Sequence, residues 1–169
     1  PVKPIRMIVG FPPGGAADIV ARIVGQSIGE QFRQQIGIDN RAGAGSSIAS
    51  EITAKALPDG YTVLMISSSH ATNAALQNAL PYDPVADFAA VTLVATAPNV
   101  LIANPATGLN TVADVIAVAR AKPGYLNFSS GGNGSITHLA GELFKRMANV
   151  NLTHVPYKGS AQALTDVIA

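Results

Sequence analysis

The chain has 169 residues, 48% of them hydrophobic, which is enough to pack a core and suits one domain or two small lobes. Eleven basic residues against ten acidic ones leave a formal charge of +1 with only 12% of the chain charged, so there is no broad field to hold a polyanion and nucleic acid is not an expected partner. Cysteine is absent, which removes disulfides, thiolate nucleophiles and cysteine-held metals from consideration.

Residues 4–10, PIRMIVG, are a short apolar run rich in β-branched side chains and predict a strand. The turn FPPGG follows, and then Ile19, Val20, Ile23, Val24, Ile28 and Phe32 recur at helical spacing. The unit repeats twice. IGIDNR (36–41) leads through AGAGS into a helix over SIASEITAKAL, and YTVLMISSS (61–69) leads into a helix opening near His70. Three strand-helix units in succession predict an α/β fold with a parallel sheet and helices on both faces.

LPYDPVADF reads as a loop with a short turn of helix. In AVTLVATAPNVLIANP (90–105), two β-rich runs meet at Pro98, and the segment is long enough to leave one sheet and enter another. A second series begins there: the helix TVADVIAVARAK, the strand YLNFSS, the helix SITHLAGELFKRMANV, the strand NLTHVPY and a helix from Ser160. The expected division is a first lobe over 1–100 and a second over 101–169. No apolar run approaches the ~20 residues of a membrane-spanning helix. The chain opens at Pro1 without a signal-like segment, and SAQALTDVIA stops inside a helical pattern, so the protein is expected to continue.

Ligands of open parallel sheets gather at the carboxyl ends of the strands. There, FPPGGAAD offers glycines where backbone N–H groups can approach a ligand, and a helix start with its partial positive charge. A phosphate loop needs a lysine and a hydroxyl after the glycines, and a dinucleotide site needs spaced glycines. GGAAD has neither, so a carboxylate is the better fit. Asp18 either caps the helix start or orients a water or an ammonium group. SSSHATN (67–73) and SSGGNGSITH (129–138) follow other strands in the same position. Ser67, Ser69, Ser129, Ser130, Ser135 and Thr137 are candidate hydroxyl donors, and the glycines of the later loop are expected to expose further backbone donors.

His70 and His138 stand at helix starts, where a histidine more often makes local hydrogen bonds than holds a ligand, and His154 lies mid-strand. There is no HExxH and no G-x-S-x-G, so neither a metal site nor hydrolytic catalysis is supported. Arg41 and Lys158 either lend charge to a ligand or are simply solvated, and Tyr157 either closes over a cleft or packs at its strand's end.

PIRMIVGFPPGGAADIVAR, NRAGAGSSIASE, PDGYTVLM, LPYDPVADFAAVTLVA, GNGSITHLAGELFK and HVPYKGSAQALTDV occur in this order through nearly the whole chain. The set resembles the receptors of tripartite tricarboxylate transporters, the Bug family of solute-binding proteins. The resemblance implies a two-lobed clamshell of the type II periplasmic-binding-protein class. It also implies a non-enzymatic role: capture of a small organic carboxylate (a di- or tricarboxylate, an acidic amino acid or an aromatic acid) in the periplasm, without cofactor or metal, for delivery to a membrane permease. The receptor itself would not insert in the membrane, and its signal peptide would already have been removed.

Carried over from the family, the anchors are Phe11, Gly14, Gly15, Ala16 and Asp18, with Ser67, Ser69 and His70 beside them, and Ser129, Ser130, Asn133, Ser135, Thr137 and His138 from the second lobe. Gly10 and Ala42 stand where many relatives carry proline, which implies looser loops. Family members are longer and return to complete the first lobe. The first sheet here is therefore expected to be incomplete, with exposed apolar surface. The competing expectations are a ligand sensor for a signalling partner, which would use the same site, and an α/β hydrolase, which would need a nucleophile and base within hydrogen-bond reach.

Overall fold

The first strand, β1 (Ile5–Val9), is buried at every position but Arg6 and occupies the middle of a three-stranded parallel sheet ordered β2-β1-β3. Its near-continuous apolar run is what a strand covered on both faces requires. β2 (Ile36–Asn40) and β3 (Thr62–Met65) flank it, with Val9 level with Asn40 on one side and Met65 on the other, so all three strands end at one edge. The computed structural model describes residues 1–76 and 79–169, and contacts divide the chain into two compact units, Pro1–Thr96 and Ala97–Ala169.

In the first unit, α1 (Ala16–Phe32) joins β1 to β2, and α2 (Ser47–Ala54) joins β2 to β3 after a single 3-10 turn at Ala44–Ser46. α3 (Ser69–Leu76) follows β3. The two crossovers run in opposite directions along the sheet, and right-handed connections then place α1 and α2 on opposite faces. Met7 and Val9 pack with Ala21, Val24, Ile36, Ile38, Val63 and Met65. The helical spacing of Ile19, Ile23 and Phe32 correctly marks α1, but these side chains are exposed, while Ala21 and Gly25 turn inward. The strands already supply the bulk: a Cβ on Gly25 would stand 3.2 Å from Ile38 Cδ1, so the helix contributes small residues to the contact.

The segment 88–104 corrects the sequence reading, since neither β-rich run forms a strand. Val91, Leu93, Val100 and Leu101 are all exposed, Val91 at 86%. A strand needs a neighbour to accept its ladder, and β-branched composition alone cannot provide one. Of these exposed side chains, Val91 and Leu93 belong to the first unit and Val100 and Leu101 to the second.

In the second unit, α4 (Val112–Ala121) starts with a capping box in which Thr111 accepts from the Asp114 amide and Asp114 accepts from the Thr111 amide. β4 (Asn127–Ser130) and β5 (Thr153–Pro156) pair in parallel, with α5 (Ile136–Ala148) between them and α6 (Ser160–Ile168) after β5. Gly141 sits in the middle of α5 because the Phe128 ring lies against it: a Cβ there would come within 2.3 Å of the ring. Among the described residues no helix is long and apolar enough to cross a membrane.

Candidate ligand-binding site

The strand order of the first unit makes the carboxyl ends of β1 and β3 a topological switch point, the place where open α/β sheets take their ligands. The β1 loop, 10–15, is held from beneath. Asp18, only 2% exposed, accepts hydrogen bonds from the Gly14 amide (2.9 Å), Arg22 Nε (2.9 Å) and Asn40 Nδ2 (2.9 Å). The Arg22 guanidinium, with help from the Gly14 and Asn40 donors, holds the Asp18 carboxyl down at about 2 despite its burial. Asn40 Nδ2 also donates to the Phe11 carbonyl at 3.0 Å, tying the loop to the end of β2.

These contacts correct the helix-capping expectation for Asp18 and the expectation of a free Gly14 amide. Asp18 caps no first-turn amide of its own helix; it pins Gly14, which holds a left-handed φ of 81° at the turn. The Gly14 N–H is therefore spent within the loop, and the Gly15 N–H faces the Pro12 carbonyl at 3.4 Å. The helix start itself has no side-chain cap, because its N-cap is Gly15. The first intrahelical bond of α1 comes from Ile19, so the amides of Ala16, Ala17 and Asp18 have no partner among the described residues.

Gly10 is not a slack point, as the contrast with proline in relatives had implied. It is buried, and a Cβ there would meet Ser46 Cβ at 2.4 Å. Ser46, itself in the left-handed region at φ 77°, joins Ser69 hydroxyl to hydroxyl at 2.9 Å, and Ser69 joins Ser67 at 3.0 Å. Asn73 Nδ2 donates to the Gly45 carbonyl at 2.8 Å and to Ser47 Oγ at 3.0 Å. Ser67 and Ser69 thus connect to Ser46, which lies against Gly10 at the end of β1, and Ser69 is fully buried and serves the scaffold.

His70 is structural as well. Its Nε2 donates to the Pro84 carbonyl at 2.9 Å, which leaves Nδ1 to accept from Ser50 Oγ at 3.1 Å, and its ring packs against Tyr82 and Phe88. Arg41 is paired with Asp39 at 2.8 Å. Sequence reasoning missed Asn40, Arg22, Ser46, Ser50 and Asn73. The dipeptide Asn40-Arg41 at the strand's end was the available signal for the first of these, since a polar residue closing an apolar strand faces the ligand edge.

In the second unit, Ser129, Ser130, Asn133, Ser135, Thr137 and His138 do gather around the loop from β4 to α5. The expectation that its glycines expose donors is overturned. The Gly131 amide donates to Thr137 Oγ1 (3.0 Å), that of Gly132 to Ser130 Oγ (3.2 Å) and that of Gly134 to His138 Nδ1 (3.2 Å). Ser135 caps α5 by accepting from the His138 amide at 3.2 Å. A chain reversal this tight buries its own polar groups, and each must find a partner within it. What remains for a ligand is the exposed Asn133 side chain and the first-turn amides of Ile136 and Thr137.

α6, by contrast, opens on Gly159 without a side-chain cap, at the carboxyl end of β5. Neither Gly159 nor Ser160 was singled out from the sequence, although the glycine immediately before a helix was the sign. The Tyr157 hydroxyl donates to Asp166 of α6, and Lys158 is exposed. Among the described residues no group of three or more histidines or carboxylates is placed to hold a metal.

The profile of the tripartite tricarboxylate transporter family receptor, TctC, matches residues 20–169. A UPF0065 protein from the tcbD-tcbE intergenic region of Pseudomonas sp. strain P51 is 41% identical over 169 residues, all of this chain and 50% of that protein. Among solved structures, Rpa4515 of R. palustris with adipate superposes with a TM-score of 0.94 at 39% identity, over 99% of this chain and 56% of that one. MatC from Rhodopseudomonas palustris with bound malate gives 0.88 at 30% identity, over 99% and 57%. The chain spans about half the length of the curated relatives it matches. The chain belongs to the receptors of the tripartite tricarboxylate transporter family, which bind solutes rather than catalyse a reaction.

Proposed function

We propose that this chain is the ligand-capturing part of a periplasmic receptor that takes up a small organic carboxylate and delivers it to the membrane permease of a tripartite tricarboxylate transporter. The observation that carries the reading is the uncapped start of α1. Ala16, Ala17 and Asp18 present three amides without partners at a β1/β3 switch point, on a loop fixed in advance by Asp18 and Asn40. Three converging N–H groups at the positive end of a 17-residue helix complement a carboxylate, and a loop already ordered loses little entropy on binding. The adipate and malate held by the two superposed structures support the same class of ligand.

Neither Phe11 nor Gly14 contributes an amide in this reading; Phe11 offers its carbonyl to Asn40 and shapes the loop. Calorimetry against adipate, malate and their uncharged diamides tests the class. Carboxylate binding with no diamide binding is expected, and the reverse pattern defeats the proposal.

Ala16→Pro probes the amides directly. Proline is accepted at the first position of a helix, and Gly15 already has the extended backbone (φ −78°, ψ 164°) that precedes proline well. The substitution removes one N–H without unfolding α1, and carboxylate affinity is expected to fall by about 1–3 kcal/mol. Unchanged affinity would show that the Ala16 amide does not touch the ligand.

A further inference from the structure

Three rings stack through the second unit. His154 of β5 lies between Phe128 of β4 (centroids 4.8 Å apart, 25° between planes) and His138 of α5 (4.1 Å, 18°). Both imidazoles hold the loop that opens α5. His154 Nε2 is 2.7 Å from Ser130 Oγ, the atom that accepts the Gly132 amide, and His138 Nδ1 accepts the Gly134 amide. Ser130 is only 1% exposed, so the chain of contacts from His154 to Gly132 is shielded from water.

We propose that His138, stacked on His154, is a positioning residue whose neutral imidazole fixes the loop 131–134 through the Gly134 amide, and that protonation of His138 releases that amide, making this loop a pH-sensitive part of the receptor. The argument is one of donors and acceptors. The Gly134 N–H needs a lone pair at His138 Nδ1, and a protonated imidazole has an N–H at both nitrogens, so the two donors would then face each other. Two cations stacked 4.1 Å apart also repel, so charging one ring disfavours charging the other.

The surrounding charges do not reverse this. Glu142 and Lys145 of α5 are paired with each other at 2.8 Å, Arg120 of α4 donates to the Ala148 carbonyl, Asp166 of α6 accepts from Tyr157, and Lys158 is exposed. Burial, and then the neighbouring His138, hold His154 below the ordinary histidine value. Because the folded state prefers the neutral form, the contribution to stability is complete above ~6.5 and is lost as pH falls from there through the depressed folded value.

The consequence for capture rests on the carboxylate reading above; the loop itself can be tested without it. In proton–nitrogen NMR on the chain, hydrogen-exchange protection of the Gly134 amide is followed as pH is lowered from 7.5 until the histidine ring protons report protonation, with the Gly132 amide, held by the Ser130 hydroxyl, as the internal control. Corrected for intrinsic exchange, Gly134 protection is expected to fall about tenfold once His138 is protonated, the size of effect that loss of one hydrogen bond gives, while Gly132 keeps its own. His138→Asn keeps an acceptor near the Nδ1 position that cannot titrate, and should leave Gly134 protected throughout.

Gly134 protection that stays constant while His138 protonates overturns the proposal, as does a Gly134 profile that His138→Asn leaves unchanged. Adipate and malate titrations at pH 7.5 and 5.5 form the second arm. If neither acid binds at either pH, the carboxylate reading fails while the amide profiles still decide the loop.

Discussion

The loops before α1 and α5 look alike in sequence, each a glycine-rich stretch between a parallel strand and a helix, yet they are stabilised by opposite means. The first is pinned from outside by a buried carboxylate: Asp18 takes Gly14, Arg22 and Asn40, and three first-turn amides are left free. The second satisfies itself with neutral groups, as Thr137, Ser130 and His138 consume the glycine amides and Ser135 caps the helix. A glycine-rich strand-helix turn is thus not by itself a donor surface. Whether its amides reach a ligand depends on whether a side chain nearby has taken them first.

The sharpest way to break the contrast is Asp18→Ala. It strands the Gly14 amide, takes one of two acceptors from Asn40 Nδ2 and leaves the half-exposed Arg22 guanidinium to water, and should cost the first unit about 1–3 kcal/mol in denaturant unfolding. The second unit should keep its exchange protection, and a loss spread equally over both would show that Asp18 does not act locally.

An acid titration separates the two loops more gently. The lowered carboxyl of Asp18 stabilises fully above its ordinary value of 3.8 and loses that contribution, about 2 kcal/mol, as pH falls toward about 2. Exchange protection in the first loop should therefore persist until the pH falls below about 4, and should not follow protonation of the histidines of the second. Simultaneous loosening would erase the distinction.

The smallest effect is expected from Gly141→Ala. Alanine favours a helix over glycine by ~1 kcal/mol, but its Cβ must displace the Phe128 ring, at a cost of ~1–3 kcal/mol. The net change should be a modest destabilisation confined to the second unit, and a stabilised variant would mean that the ring shifts freely.

The elements of both units were legible because their signals are local: apolar runs ended by proline and glycine, then a 3.6-residue period. The same locality explains the two failures. Residues 90–105 carry strand composition, but a strand exists only beside another, and the described residues offer none at that place. The spacing of Ile19, Ile23 and Phe32 marked a helix without telling which side the sheet would cover, because the bulk of the Ile36 and Ile38 side chains decided that the inward residues must be small.

For the site, the sequence by itself determined where ligand-facing loops lie, since every parallel strand delivers its loop to one edge of the sheet, and it determined the family to which these turns belong. Only the tertiary structure decided which donors remain. Asn40 reaches back 22 residues to Asp18, and Ser130 meets His154 across 24. Such pairings arise from the register of neighbouring strands, and no local pattern of residues encodes them. The amides of α1 stay free because its N-cap is a glycine and its aspartate is engaged with Gly14, Arg22 and Asn40.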